Sequence, residues 1–381
     1  MKYSKIYSRS GISQAQECRV PSKKLALLRL TTKPVAFAYE FRDESHYGIT
    51  LENAIDTDHW KHLKDNPKSI FIYSNSNEPT DFKKLANQFK NIIALHNINQ
   101  KQIYIIISDE VQLYFLQEEF KKIGLPNINT DYFSVSISDI EVPSISNIQP
   151  TKRFSIMSRR YVKDRLFLFC ELIEHDLLDQ FYYSFHNVDP YQHKVLAEVP
   201  EIKKSLPLEY QTPKILNWTN NIPYCINNEY DNYTNQYSNK IYNTILQAQF
   251  HIIVETIFDE GIYQVDASNI IPWITEKTYK AIACKKIFLC YGMQGSLNVL
   301  KQMGFQTFDN IIDETYDTIE DPVLRRAALV KEIMRLSLLT TQETEELIKQ
   351  AKDITDHNLQ IFEKKKTRQL LSDSKWTNKG K

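Results

Sequence analysis

Four consecutive segments decide the fold: KSIFIYSNS (68–76), DFKKLANQFKNIIALHNI (81–98), KQIYIIISDE (101–110) and VQLYFLQEEFKKIGLPN (111–127). The first and third are apolar runs of strand length that stop at Ser, Asn or Asp, whereas the second and fourth carry apolar residues at helical spacing. Strand, helix, strand, helix at this interval leaves room for crossovers, so a parallel sheet with covering helices is expected. The run Ile103 to Ile107 is apolar throughout, the pattern of a strand at a sheet centre buried on both faces.

Upstream, a polar start precedes LALLRL (25–30) and PVAFAYEF (34–41), two short runs split by Thr-Thr-Lys-Pro that suit strands. Downstream, EVPSISNIQPTK (141–152) has two prolines and no periodicity, and reads as a linker. A second α/β series follows. RFSIMS (153–158) leads into a helix with Val162, Leu166, Phe169 and Ile173 on one face, and FYYSF (181–185) suits another strand. From about 187 to 245 the pattern dissolves into Asn, Tyr and Pro, the composition of a binding loop or of disorder. AQFHIIVET (248–256) restores a strand, PWITEKTYKAIACKKIFLCYG (272–292) reads as helix then strand, and residues 322–366 are strongly helical. The terminal KWTNKGK is expected to fray. The expected division is 1–145, 146–345 and a C-terminal helix and tail over 346–381.

Composition narrows the function classes. The 381 residues hold 47 Lys+Arg and 47 Asp+Glu, a formal net charge of zero, which argues against a dedicated nucleic-acid or anionic-membrane binder. Glycine is scarce, 8 of 381 residues or about 2 %, against about 7 % in typical proteins. Neither GxGxxG nor GxxxxGK[ST] occurs, so any phosphate must be met by helix N-termini and side chains. Cys18, Cys170, Cys225, Cys284 and Cys290 form no zinc-like spacing, and no apolar run approaches the roughly 20 residues of a membrane span. A soluble chain in a reducing cytoplasm, without a bound metal, is the expectation.

In open α/β sheets ligands bind beyond the carboxyl ends of strands. Two such places in the second half are charged. Arg159 and Arg160 follow the strand RFSIMS, where a guanidinium can bracket a phosphate, although an arginine pair also suits a solvated helix face. Thr275-Glu276-Lys277 opens a helix. Thr as N-cap followed by Glu is ordinary, but Lys in a first turn opposes the helix dipole and is better explained by a nearby anion. Glu276 is placed to accept from ribose hydroxyls, and Glu255 ends the apolar strand before this helix.

These residues carry a resemblance. FHIIVET (250–256) followed by WITEKTYKAIACKKIFLCYG (273–292) resembles the nucleotide-sugar motif of the α1,3-fucosyltransferase family, and KRFSIMSRRYVKDRLFLFCELIEHDLLDQFYYSF (152–185) is similar to the opening of its C-terminal domain. The segment 296–326 resembles glycosyltransferase-like proteins of large viruses and phages. The similarity covers roughly residues 150–345. It implies a GT-B-like fold, two Rossmann-like domains facing across a cleft, and metal-independent, inverting transfer of a sugar from a nucleotide donor such as a GDP-sugar to a glycan or protein acceptor. By position, Lys277 and Arg159 or Arg160 would hold the diphosphate, Thr275 and Glu276 would belong to the donor site, and Glu255 would contact the sugar or its phosphate. Glu-Asn-Ser is replaced here by Glu255-Thr256-Ile257, and the usual Gly-x-x-Pro by Lys285-Lys286-Ile287-Phe288.

Inverting transfer also requires a base to take the acceptor proton. The first-half candidates lie in FAYEFRDESHYG (37–48): Glu40, Asp43, Glu44 and His46, with Glu78 further on. A non-catalytic binding or structural module of the same fold is the rival, and a first-domain base is what separates the two.

Overall fold

The computed structural model describes residues 5–10, 35–41, 57–75, 82–107, 110–132, 137, 140–144, 148–158, 161–187, 198–224, 239–256, 258 and 271–379. The chain divides into two compact units. One draws on Met1–Ser138, Glu260–Ile271 and Lys364–Lys381, the other on Asp139–Asp259 and Pro272–Glu363.

In the first unit five parallel strands lie side by side in chain order: β1 (Lys5–Ser10), β2 (Val35–Phe41), β3 (Ile70–Asn75), β4 (Ile103–Ile107) and β5 (Asn129–Tyr132). Helices α1 (Thr57–Asp65), α2 (Phe82–His96) and α3 (Glu110–Lys122) make the crossovers from β2 to β5. Each crossover steps in the same direction, so right-handed connections put all three helices on one face. The core has that form: Phe71, Tyr73, Ile103, Ile105 and Ile107, alternate residues of β3 and β4, cluster with Trp60, Phe89 and Phe120 from the helices. Among the described strands β4 lies one in from the edge rather than central, and Tyr104 on its other face is only half-buried. The segment LALLRL lies outside the described residues. One neighbour of β2 is Lys5–Ser10, from the polar start.

The second unit holds β6 (Lys152–Ser158), β7 (Phe181–Phe185), β8 (Ala248–Val254) and β9 (Ile287–Tyr291), all parallel, in the order β7-β6-β8-β9. Every residue of β9 and all but one of β8 are buried, which accounts for their unbroken apolar runs. One polar pair sits inside this sheet. Ser155 faces His251 across the β6–β8 ladder, their Oγ and Nδ1 2.8 Å apart, and burial together with the charges of Lys286 and Lys280 pushes the imidazole down to about 3.

Helix α4 (Lys163–Glu174) links β6 to β7 and buries Leu166, Phe169 and Ile173 as the periodicity requires. The stretch expected to be irregular is partly ordered. α5 (Val199–Ser205) and α6 (Pro213–Thr219) each begin with proline in the first turn, and α7 (Asn239–Leu246) precedes β8. The first two, at seven residues, are too short to show a helical period. Trp218 anchors α6 by stacking on Phe169 and Tyr224, at centroid distances of 5.5 and 5.0 Å. After β9 come α9 (Ser296–Gln302), α10 (Pro322–Ser337), α11 (Thr341–Gln350) and α12 (Lys352–Lys379), the last continuing where fraying was expected. Among the described residues no helix is long and apolar enough to cross a membrane.

Candidate functional site

Strand order decides where the second unit can hold a ligand. The chain steps from β6 outward to β7, then reappears on the other side of β6 as β8 and continues to β9. The direction reverses between β6 and β8, and at such a switch point the loops leaving neighbouring carboxyl ends part and open a crevice. Ile156 pairs with Ile252, which brings Ser158 and Val254 to the same end. The chain leaves that end after Ser158 on one side and as Glu255-Thr256 on the other. The described strands of the first unit advance in one direction and contain no such reversal.

Glu255 is buried and organises the start of α8 (Glu276–Ala283). The Thr275 amide donates to Oε1 of Glu255 at 3.1 Å, the Thr278 hydroxyl to the same oxygen at 2.6 Å, and the Thr275 hydroxyl to Oε2 at 2.5 Å. A carboxylate beneath a helix N-terminus is favoured by the dipole and by charge-assisted hydrogen bonds. Backbone contacts lock it further. The Glu255 amide donates to the carbonyl of Tyr291 at 2.9 Å, and Nη2 of Arg165, in the first turn of α4, donates to the carbonyl of Glu255 at 3.1 Å.

Lys277 closes over this platform. Its ammonium donates to the hydroxyls of Thr256 and Thr275, each at 3.1 Å, and lies 3.8 Å from carboxylate oxygens of both Glu255 and Glu276. Neither carboxylate is within hydrogen-bonding distance. The side chain is 22 % exposed, so it is folded over the helix start rather than extended into solvent. The anion that offsets a lysine in this first turn is thus in part internal. Thr275 is the hinge of the arrangement: its proton goes to Glu255 while its oxygen accepts from the Lys277 ammonium and, at 3.4 Å, from the Lys277 amide as the N-cap.

Glu276 is 24 % exposed on the same turn. Burial opposes its charge, but Lys277, Lys280 and its own amide outweigh that and hold its carboxyl down at about 2. It is therefore an ionised acceptor at neutral pH, the state needed to receive two hydroxyl donors.

The structure thus assembles Glu255, Thr275, Glu276 and Lys277 at one strand end. Arg159, Arg160, Asp43, Glu44, His46 and Glu78 lie outside the described residues. Glu40 is in β2, opposite Ser10 and Ser74 near the carboxyl end of the first sheet. Sequence reading missed Thr278 and Arg165. The T-x-x-T spacing of Thr275 and Thr278, one helical turn apart, was the available signal for the former. Among the described residues no group of three or more His, Cys, Asp or Glu is assembled to hold a metal ion.

No family model matches the sequence, and no curated protein matches it. Among solved structures, the chain is similar to the DNA-modifying enzyme β-glucosyltransferase, determined in the presence and absence of uridine diphosphoglucose. The identity is 13 % and the TM-score 0.38, over 91 % of this chain and 79 % of that one.

Proposed function

We propose that the chain is a glycosyltransferase that takes a nucleotide-sugar donor at the carboxyl edge of the β7-β6-β8-β9 sheet. The observation that carries this reading is the Lys277 ammonium, held over the α8 N-terminus by two hydroxyls beside the β6–β8 switch point. Two of its three N–H bonds are committed to Thr256 and Thr275, leaving one for a phosphate oxygen.

In this reading Lys277 meets the diphosphate, and Arg159 or Arg160, which follow β6 in sequence, supplies a second cation. As the glycosidic bond breaks, negative charge grows on the leaving diphosphate, and fixed cations stabilise it without a divalent ion. Glu276 accepts from ribose hydroxyls. Glu255 acts from below, fixing Thr275 and so the position of Lys277. A contact of Glu255 with the sugar would need its carboxylate released from Thr275 and Thr278. Inversion at the sugar carbon also requires a base for the acceptor proton, for which Glu40, Asp43 and His46 are the candidates. The sequence resemblance supports fucose and a GDP donor as the finer assignment and a glycan or protein as the acceptor.

A panel of nucleotide sugars in a thermal-shift and hydrolysis assay tests this. A donor that raises the melting temperature and is slowly hydrolysed supports the assignment. Binding without turnover for any donor–acceptor pair would instead identify a binding module, and a panel without any binder would refute the donor site.

A further inference from the structure

At the opposite end of the second sheet lies a cavity of about 460 Å³, within the usual size range of small-molecule sites. Leu246, the last residue of α7, Gln249, the second residue of β8, and Ile287, the first residue of β9, line one side, and the α11–α12 segment Glu345–Thr355 lines the other. The seven residues of β8 separate it from Glu255, about 20 Å at the rise of an extended strand. It is a different place from the candidate donor site.

Its chemistry is two-sided. Ile148, Leu246, Ile287 and Ile348 give it hydrocarbon walls, while Lys285, Lys286, Lys349 and Lys352 bring four positive charges against the single carboxylate of Glu345. Two of the lysines are tied down, since Lys285 and Lys352 both pair with Asp356. Counting Asp356, the surplus is two positive charges. Lys286 is the inner one. Its ammonium donates to the carbonyls of Leu246, at 3.0 Å, and Ala248, at 2.5 Å, which uses two of its three N–H bonds. Burial holds this ammonium down at about 8, and an anion placed against it would relieve part of that desolvation.

We propose that this cavity binds a small amphiphilic monocarboxylate, with its carboxylate between Lys286 and Lys349 and its hydrocarbon part against Ile148, Leu246, Ile287 and Ile348. A phosphate would satisfy the lysines but leave the apolar walls wet. A neutral hydrocarbon would fill the walls but leave the ammonium groups uncompensated. Only a ligand with both parts matches both surfaces.

The test is calorimetric titration of the full chain with octanoate, octanol and inorganic phosphate. Octanoate is expected to bind, and octanol and phosphate to bind at least about tenfold more weakly. Lys286→Met removes the inner cation. Ile348→Trp, at a position 40 % exposed, fills the cavity without touching the core. Each is expected to weaken octanoate about tenfold or more, and Ile348→Trp decides the matter if Lys286→Met fails to fold. Octanoate that does not bind at millimolar concentration, phosphate or octanol that binds as well as octanoate, or octanoate affinity unchanged in Ile348→Trp would each overturn the proposal.

Discussion

The hydroxyl of Thr275 donates to Oε2 of Glu255 at 2.5 Å and accepts, on its other side, from the ammonium of Lys277 at 3.1 Å. A buried carboxylate is thereby coupled to a partly exposed cation through one side-chain oxygen. The direction of the bonds fixes the roles. Because Glu255 can only accept, the threonine proton is committed downward and its lone pairs face the lysine.

Glu255→Gln tests that coupling. The variant keeps the shape but turns one acceptor oxygen into a donor facing hydroxyls that already donate. We expect a loss of about 2–3 kcal/mol of unfolding free energy, the range for removing charge-assisted hydrogen bonds from a buried site. Urea denaturation at neutral pH measures it, and stability equal to that of the parent would mean the three bonds to Glu255 contribute nothing net.

The buried His251 gives the protein an acid-sensitive core. Its folded pKa, about 3, lies below the ordinary value near 6.5, so the unfolded chain binds the extra proton between those values and stability falls as pH drops through that window. At pH 5 the expected contribution is a loss of roughly 2 kcal/mol relative to pH 8. Asp317, pushed up to about 6 by burial, works in the other sense and removes stability as pH rises toward 6. His251→Asn can still hydrogen-bond Ser155, and it is expected to flatten the decline in unfolding free energy between pH 7 and 5 by about one proton. An unchanged slope would show that His251 protonates in the folded state at its ordinary pKa.

Gly292 follows β9 where the chain turns toward α9. A Cβ built there would lie 2.7 Å from Oγ of Ser296, closer than real Cβ atoms come to other atoms, and 3.3 Å from Sγ of Cys290, tighter than most such contacts. Gly292→Ala is expected to cost about 1–3 kcal/mol by overpacking. Removing the hydroxyl relieves the shorter contact, so the loss in Gly292→Ala/Ser296→Ala should be smaller than the sum of the two single losses. Additive losses in thermal denaturation would contradict the contact.

Strands rich in apolar residues were legible, β9 (IFLCY) because burial at every position writes an unbroken apolar run. The outer strands of the first sheet were not. β1 (KIYSRS) and β5 (NTDY) carry the polar and charged residues that protect a sheet edge, and such residues hide the strand period. The site shows the same division. Lys277 was readable because a lysine in a first helical turn is locally unfavourable, and Glu255 because it ends an apolar strand. The partnership among Glu255, Thr275 and Thr278 spans 24 residues of chain and depends on how β8 and α8 pack, which no local pattern encodes.

The central claim is that the Lys277 ammonium is placed to meet a diphosphate. Calorimetric titration of GDP and UDP into the parent protein and into Lys277→Ala tests it most directly, with thermal denaturation as the check on folding. The account predicts that at least one diphosphate binds the parent, that the variant loses about tenfold or more in affinity, equivalent to about 1.4 kcal/mol, and that its melting temperature stays close to the parent's. Equal affinity in the two proteins, or no diphosphate binding to the parent, would contradict it.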